Sequence, residues 1–383
     1  MHTTINNLNF NKLSVFKYQF FSFLLLISLS VSLSAQETET SLVEKGANAE
    51  KMGLKDRAEQ YYRQALQVNP EGSACLPLGI ILERKELYSE AADLLQYSKV
   101  PEGFAHLALC LSELEFWDSA SAIAEIAIEQ GEKASPMATM ALCESMRGHQ
   151  ANAYSWAAKS IEADPQYARA YNVMGVVCYR KGSDNEALRN FRKAVQLDSN
   201  DVDAFYNLGT MYCLRNNYES ALTTLKKALK KHPKSLKLYY CLGAAYRLRG
   251  DYQKAVMCYE EVLKIDSSNL KAFLMLGDVS RDQGEYDRAQ SYYNNAVRIN
   301  PRYAPAYKGL GRTYTLWNNY SKAIHSYQKA VQIDPNDADT YCLIADLYKR
   351  QGNAQREQNS YKKAARLGNQ AAQQWLVKKG LSW

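Results

Sequence analysis

Histidine is scarce in this chain, with five residues in 383. His2 stands at the very start, and His106, His149, His232 and His325 lie far apart, none in an HxxxH or HExxH pattern. A metal site therefore has no ligand set to build on, and none is expected. Glycine does not gather into a phosphate-cradling loop and no GxSxG turn is present, so the nucleotide-binding and serine-hydrolase signatures are missing. No acid, base and nucleophile converge in the sequence, which predicts no catalytic residue, no enzyme activity and no cofactor. A dominant charge is lacking too. The formal net charge of +7 is spread through a chain that is 46% hydrophobic and 23% charged. That balance describes a foldable, ordered protein, and the excess is too diffuse to imply a nucleic-acid partner.

Acidic residues are absent from residues 1–19, which carry Lys12 and Lys17. The apolar run FFSFLLLISLSVSLSA follows over 20–35 and gives way to the polar QETET. A basic start, an apolar middle and the small residues Ser34 and Ala35 fit a cleavable export signal over 1–35. The alternative is an uncleaved anchor, but a serine-interrupted run of this length falls short of the ~20 residues that a membrane-crossing helix needs. The expected mature chain begins at Ala35 or Gln36, lacks a transmembrane span, and works in the periplasm or at the cell surface.

What the chain has in abundance is a period. In residues 304–337, APAYKGLGRTYTLWNNYSKAIHSYQKAVQIDPND, Tyr307 takes position 4, Leu310 and Gly311 positions 7 and 8, and Tyr314 position 11. Tyr320 follows at 17, Ala323 at 20, Tyr327 at 24, Ala330 at 27 and Pro335 at 32. Stepping back by 34 residues returns the same types at 270–303, 236–269, 202–235 and 168–201. Position 4 is Phe273, Tyr239, Phe205 and Tyr171; position 8 is Gly277, Gly243, Gly209 and Gly175; position 20 is Ala289, Ala255, Ala221 and Ala187. A fixed period of this length means a stacked array. Small residues at 8 and 20 let two helices approach, and large ones at 4, 7, 11 and 24, at helical spacing, fill the gap between neighbouring repeats. Gly or Asn at 15 supplies the left-handed residue ending the first helix, and Asp-Pro or Asn-Pro at 31–32 stops the second.

These positions resemble the tetratricopeptide repeat family. The resemblance implies an all-α, right-handed superhelical solenoid of antiparallel helix pairs. The repeat at 338–371 keeps Tyr341, Tyr348, Gly352, Tyr361 and Ala364 but has Glu357 at position 20. Residues 372–383, with Ala372, Trp375 and Leu376, read as a capping helix for the open end. The N-terminal part departs from the pattern. Repeat 134–167 has Met137 and Ala141 at positions 4 and 8, 101–133 runs one residue short, and 72–100 loses the end of its second helix. Repeat 39–71 keeps Gly46, Gly53, Ala58, Tyr62, Ala65 and Pro70. The domains expected are thus 1–35, degenerate repeats over 39–133, regular repeats over 134–371, and the cap. Residues 98–103 are the expected place for a kink or hinge.

Of the eight cysteines, Cys110, Cys143, Cys178 and Cys213 recur about one repeat apart on first helices. Equivalent positions on packed helices sit ~8–10 Å apart, beyond easy disulfide reach, so small buried hydrophobes are expected, with one pair across a repeat boundary left open. Tyrosine is plentiful but falls mostly in structural slots. The run Lys226, Lys227, Lys230, Lys231, Lys234 and Lys237 ends a second helix, where cations complement the dipole. A solvated surface explains it better than a lipid or acidic-partner patch.

The resemblance also implies a groove lined by first-helix positions 2, 5, 6, 9, 12 and 13. Over 168–337 these hold Arg169, Arg180, Lys237, Arg247, Lys271, Arg281, Lys308 and Arg312 against Asp203, Asp278 and Asp282. Asn172, Tyr179, Tyr206, Asn207 and Tyr240 stand among them. Toward the N-terminus Glu44, Glu50, Glu83, Glu102 and Glu113 face Lys51 and Arg84. A groove acidic at one end and basic at the other would steer an acidic peptide toward 168–337, with Arg and Tyr as contact residues. Charges that merely keep the array soluble are the competing explanation. Some relatives clamp a terminal carboxylate with a Lys, Asn, Asn, Lys, Arg set; here Lys308 and Arg312 fit but Leu343 replaces an Asn, so the clamp is not carried over. The function expected is a non-catalytic scaffold or assembly factor of the cell envelope that binds a protein partner. The alternative is a repeat protein that associates with itself.

Overall fold

Glycine at position 8 and a large side chain at position 24 turn out to be one device. The computed structural model describes residues 38–383, so the expected leader lies outside the described residues. Among those residues the chain is helical throughout and forms no strand. Contacts divide it into two compact halves, Met1–Asp198 and Ser199–Trp383.

In the first half, α1 (Glu39–Lys51) pairs with α2 (Lys55–Val68), and α3 (Cys75–Arg84) with α4 (Tyr88–Leu95). Then come α5 (Pro101–Glu113) with α6 (Trp117–Glu129), α7 (Ala134–Met146) with α8 (Gln150–Ala163), and α9 (Ala168–Arg180) with α10 (Asp184–Leu197). The second half pairs α11 (Val202–Leu214) with α12 (Tyr218–Lys231), and α13 (Leu236–Arg249) with α14 (Tyr252–Ile265). It continues with α15 (Leu270–Asp282) and α16 (Tyr286–Ile299), α17 (Ala304–Leu316) and α18 (Tyr320–Ile333), α19 (Ala338–Arg350) and α20 (Ala354–Arg366), and ends on α21 (Gln370–Lys378). The last helix starts two residues earlier than the sequence reading and covers its neighbour through Trp375, stacked on Tyr361 at 4.3 Å.

Tyr62, Tyr259, Tyr293 and Tyr327 are the largest fully buried side chains, and each holds position 24. Each ring lies against the glycine at position 8 of its own repeat, and Phe191 and Leu225 do the same over Gly175 and Gly209. The sequence reading put the position-24 ring between neighbouring repeats. The structure places it first inside its own pair, and only Tyr293 also meets a glycine of the next repeat, Gly309. Alanine at position 20 is fully buried in every regular repeat from Ala187 to Ala323, letting the two helices close on the ring.

Helix ends follow local chemistry. Gly182, Gly250, Gly284 and Gly352 take left-handed φ at position 15, and Asn216 and Asn318 do so at 57° and 58°. Asp201, Ser235, Asn269 and Asp337 cap the first helices of the second half through side-chain oxygens, each such cap being worth about 1 kcal/mol. In the irregular region α4 is only eight residues long. At the junction 98–103, the expected place for a kink or hinge, Ser98 is buried and a Cβ on Gly103 would collide with its side chain. No helix among the described residues is long and apolar enough to cross a membrane.

All eight cysteines are free thiols, seven of them buried, and Cys342 is half-buried. Burial pushes Cys143, Cys178 and Cys241 up to about 11 and Cys213 and Cys258 up to about 12. An aromatic-disulfide reagent at neutral pH is therefore expected to react with the native chain at Cys342 first and slowly, and with all eight thiols after denaturation. Rapid reaction of several thiols in the native chain would contradict this packing.

Candidate partner-binding face

Residues from successive first helices meet one another across the repeat boundary, which identifies the face they share. In the second half Lys237 bonds the Asp203 carboxylate one repeat earlier and lies over the Tyr206 ring at 5.1 Å. Lys271 repeats the second contact over Tyr240 at 4.5 Å. The Tyr240 hydroxyl donates to Asn269, whose carbonyl also caps α15, and burial pushes the phenol up to about 12. Arg247 reaches forward to Asp282, its Nε at 2.7 Å.

Asp282 and Asp278 also hold Arg281, at 3.1 and 2.6 Å. Beneath them the buried Tyr293 hydroxyl donates to Asp278 at 2.7 Å and accepts from Arg281 at 3.2 Å. Lys308 bonds Asp337 at 2.6 Å. Burial alone would raise the Asp337 pKa, but the bonds from Lys308 and Thr340 outweigh it and hold the carboxyl below its ordinary value. Arg312 is exposed and carries no hydrogen bond or ion pair among the described residues.

In the first half Arg169 pairs with Glu113 at 2.8 Å, Asn172 is buried, and Arg180 donates to the Ser145 carbonyl at 3.2 Å. Glu50 accepts from the Tyr62 hydroxyl, and Glu83 binds His106 at 2.6 Å.

The free basic stripe expected from charge counting is therefore largely a ladder of ion pairs. Of the six groove cations in the second half, Lys237, Arg247, Arg281 and Lys308 already have carboxylates; among the described residues Lys271 and Arg312 have none. Tyr206 and Asn207 are half-buried between them. Counting charges also passed over an apolar row at position 13. Leu214, Leu248 and Leu316 are 54%, 57% and 54% exposed there, with Trp317 beside the last at 40%. The signal was present in the sequence as leucine at a groove position. The lysine run is partly occupied: Lys231 binds the Ser199 carbonyl at 2.9 Å and Lys226 lies over the Tyr246 ring at 5.5 Å.

His106 provides a pH test. Burial would lower its pKa, but the hydrogen bond and charge of Glu83, with Glu102 beyond and Arg84 opposing, hold it above the usual value. A raised folded pKa gives stability that is full below the unfolded value and is lost as pH rises through the folded one. Between about pH 6 and about pH 8.5, fluorescence melts reporting Trp117 and Trp156 should lose stability in the wild type and stay flatter in His106→Gln. Equal slopes would remove the His106–Glu83 pair as a contributor.

No group of three or more His, Cys, Asp and Glu among the described residues is placed to hold a metal. Family profiles described as TPR repeat match residues 175–213, 209–248 and 311–352, and profiles described as tetratricopeptide repeat match 44–102, 236–269, 270–303 and 338–367. No curated protein matches the chain. Among solved structures, a tetratricopeptide repeat protein from Parabacteroides merdae ATCC 43184 is 20% identical, with a TM-score of 0.52 over 63% of this chain and 96% of its own. The APC/C hetero-tetramer Cut9-Hcn1 gives 16% and 0.52 over 96% and 82%, and yeast Tom70 gives 13% and 0.50 over 89% and 94%. At such identities the likeness concerns the fold alone. With the repeat slots, the helix pairs and these profiles in agreement along most of its length, the chain belongs to the tetratricopeptide repeat family.

Proposed function

We propose that this chain is an exported scaffold of the cell envelope that holds a segment of a partner protein against its first-helix face. Tetratricopeptide repeat proteins bind protein partners, and the family is generally non-catalytic. The observation that carries the finer reading is the set of side-chain contacts along this face, Lys237 to Asp203, Lys271 to Tyr240, Arg247 to Asp282 and Lys308 to Asp337. That linkage holds the face in one shape before a partner arrives, which lowers the ordering cost of binding. An acidic partner is favoured because Lys271 and Arg312, two groove cations of the second half, have no carboxylate partner among the described residues.

Two measurements test the reading. N-terminal sequencing of the chain recovered from the envelope should begin at Ala35 or Gln36; an intact Met1 in the cytosol would remove the export proposal. Capture of partners from envelope extracts by the purified chain should fall at least about tenfold (~1.4 kcal/mol) in Lys271→Glu/Arg312→Glu. Unchanged capture would remove the acidic-partner proposal.

A further inference from the structure

Position 13 of a first helix faces the same surface as the ion-pair ladder, since Arg247 at position 12 of one helix reaches Asp282 at position 13 of the next. In the second half that position carries Leu214, Leu248, Asp282, Leu316 and Arg350 in order. Three leucines more than half exposed, repeated at one register, are not required by the packing, which uses positions 4, 7, 8, 11, 20 and 24 instead. Scattered surface leucines need no explanation, but a row in fixed register along a face that also presents unneutralised cations does.

Beside the last of these leucines the surface is already ordered. Trp317 replaces the Lys, Arg or Gln found at position 14 of the other regular repeats. Its ring stacks on Tyr314 at 6.3 Å with planes 7° apart, and Tyr286, at the start of α16, stands 6.0 Å from it with its ring tilted by 40°. Arg312 lies four residues before Leu316, on the same helical face. Arginine and tryptophan are the residue types that most often dominate an interface, and a ring already held by its neighbours loses little freedom on binding.

We infer that the occupant of this face is an acidic segment whose apolar side chains repeat in step with the leucine row and whose carboxylates meet Arg312 and Lys271. The inference rests on the scaffold reading and names the partner's chemistry. Neighbouring helix axes lie ~8–10 Å apart, and an extended chain advances about 3.3 Å per residue. An extended partner with an apolar side chain at every third residue therefore sets its first, second and fourth against Leu214, Leu248 and Leu316, the third passing over Asp282, with acidic residues between.

The probe is a fluorescein-labelled peptide of four Leu-Glu-Ser triplets, read by anisotropy with the purified chain. Two control peptides replace Glu by Lys and Leu by Ser. The expected result is binding of the Leu-Glu peptide alone. At least a tenfold loss is expected in Leu214→Ser/Leu248→Ser/Leu316→Ser, and again in the single surface variant Arg312→Glu, with the helical circular dichroism unchanged. Equal binding of the Lys peptide, or an undiminished triple variant, would overturn the inference. If a partner captured from the envelope binds the triple variant as tightly as the wild type, the inference falls while the scaffold reading stands. If neither the peptides nor any partner binds, both fall.

Discussion

Tyr293→Ala is expected to destabilise the half that follows Ser199 by about 3–5 kcal/mol, the cost of emptying a large aromatic site in a packed core. The ring is fully buried, sits against Gly277 of its own repeat and Gly309 of the next, and so joins both faces of one repeat boundary. Its hydroxyl also completes the Asp278–Arg281 pair on the candidate face. Tyr293→Phe keeps the ring and loses only the hydroxyl, so it should cost roughly 1 kcal/mol. Repeat arrays are not reliably two-state; the readout is therefore local. Hydrogen exchange should rise across α15, α16 and α17 in the alanine variant and stay near wild type in the phenylalanine one. Unchanged protection in the alanine variant would mean that the ring does not hold the boundary.

The second large effect belongs to the glycine beneath that ring. A Cβ at position 277 would stand 2.5 Å from the Tyr293 ring edge. The expected cost of Gly277→Val is about 1–3 kcal/mol or more, as for an overpacked core. Gly284, seven residues later, has the opposite character: nothing lies within 4 Å, but its φ is +79°. Gly284→Asn should be nearly neutral, because Asn216 and Asn318 already hold the same slot in other repeats. Chemical denaturation of the two variants, followed through Trp317, should separate them clearly. Comparable losses at both sites would contradict the assignment of one glycine to packing and the other to backbone conformation.

The repeat slots were legible because each is dictated by local sterics. Gly311 and Tyr327 announce themselves as a pair at fixed spacing, and Asn318 at position 15 signals a left-handed residue. The face was only half legible. Its residues could be named from register, but their electrostatics depend on partners that register does not name. Asp337 sits at position 34, outside the groove positions, yet it neutralises Lys308; Glu113 reaches Arg169 across 56 residues. A charge sum cannot see either contact. The leucines at 214, 248 and 316 were visible in the sequence, but their exposure became clear only once the packing positions were known. The irregular region was the least legible, since Glu86 and Glu115 take left-handed φ with no glycine or asparagine to mark the turn.

The central claim is that a protein partner lies on the first-helix face of the second half. Site-specific photo-crosslinking in the native envelope tests it most directly, with the photoreactive side chain placed in turn at Leu248 on α13 and at Met257 on α14, 57% and 63% exposed. The account predicts a partner adduct from position 248 and none from 257. Adducts from 257 with none from 248 would place the partner on the second helices and contradict it.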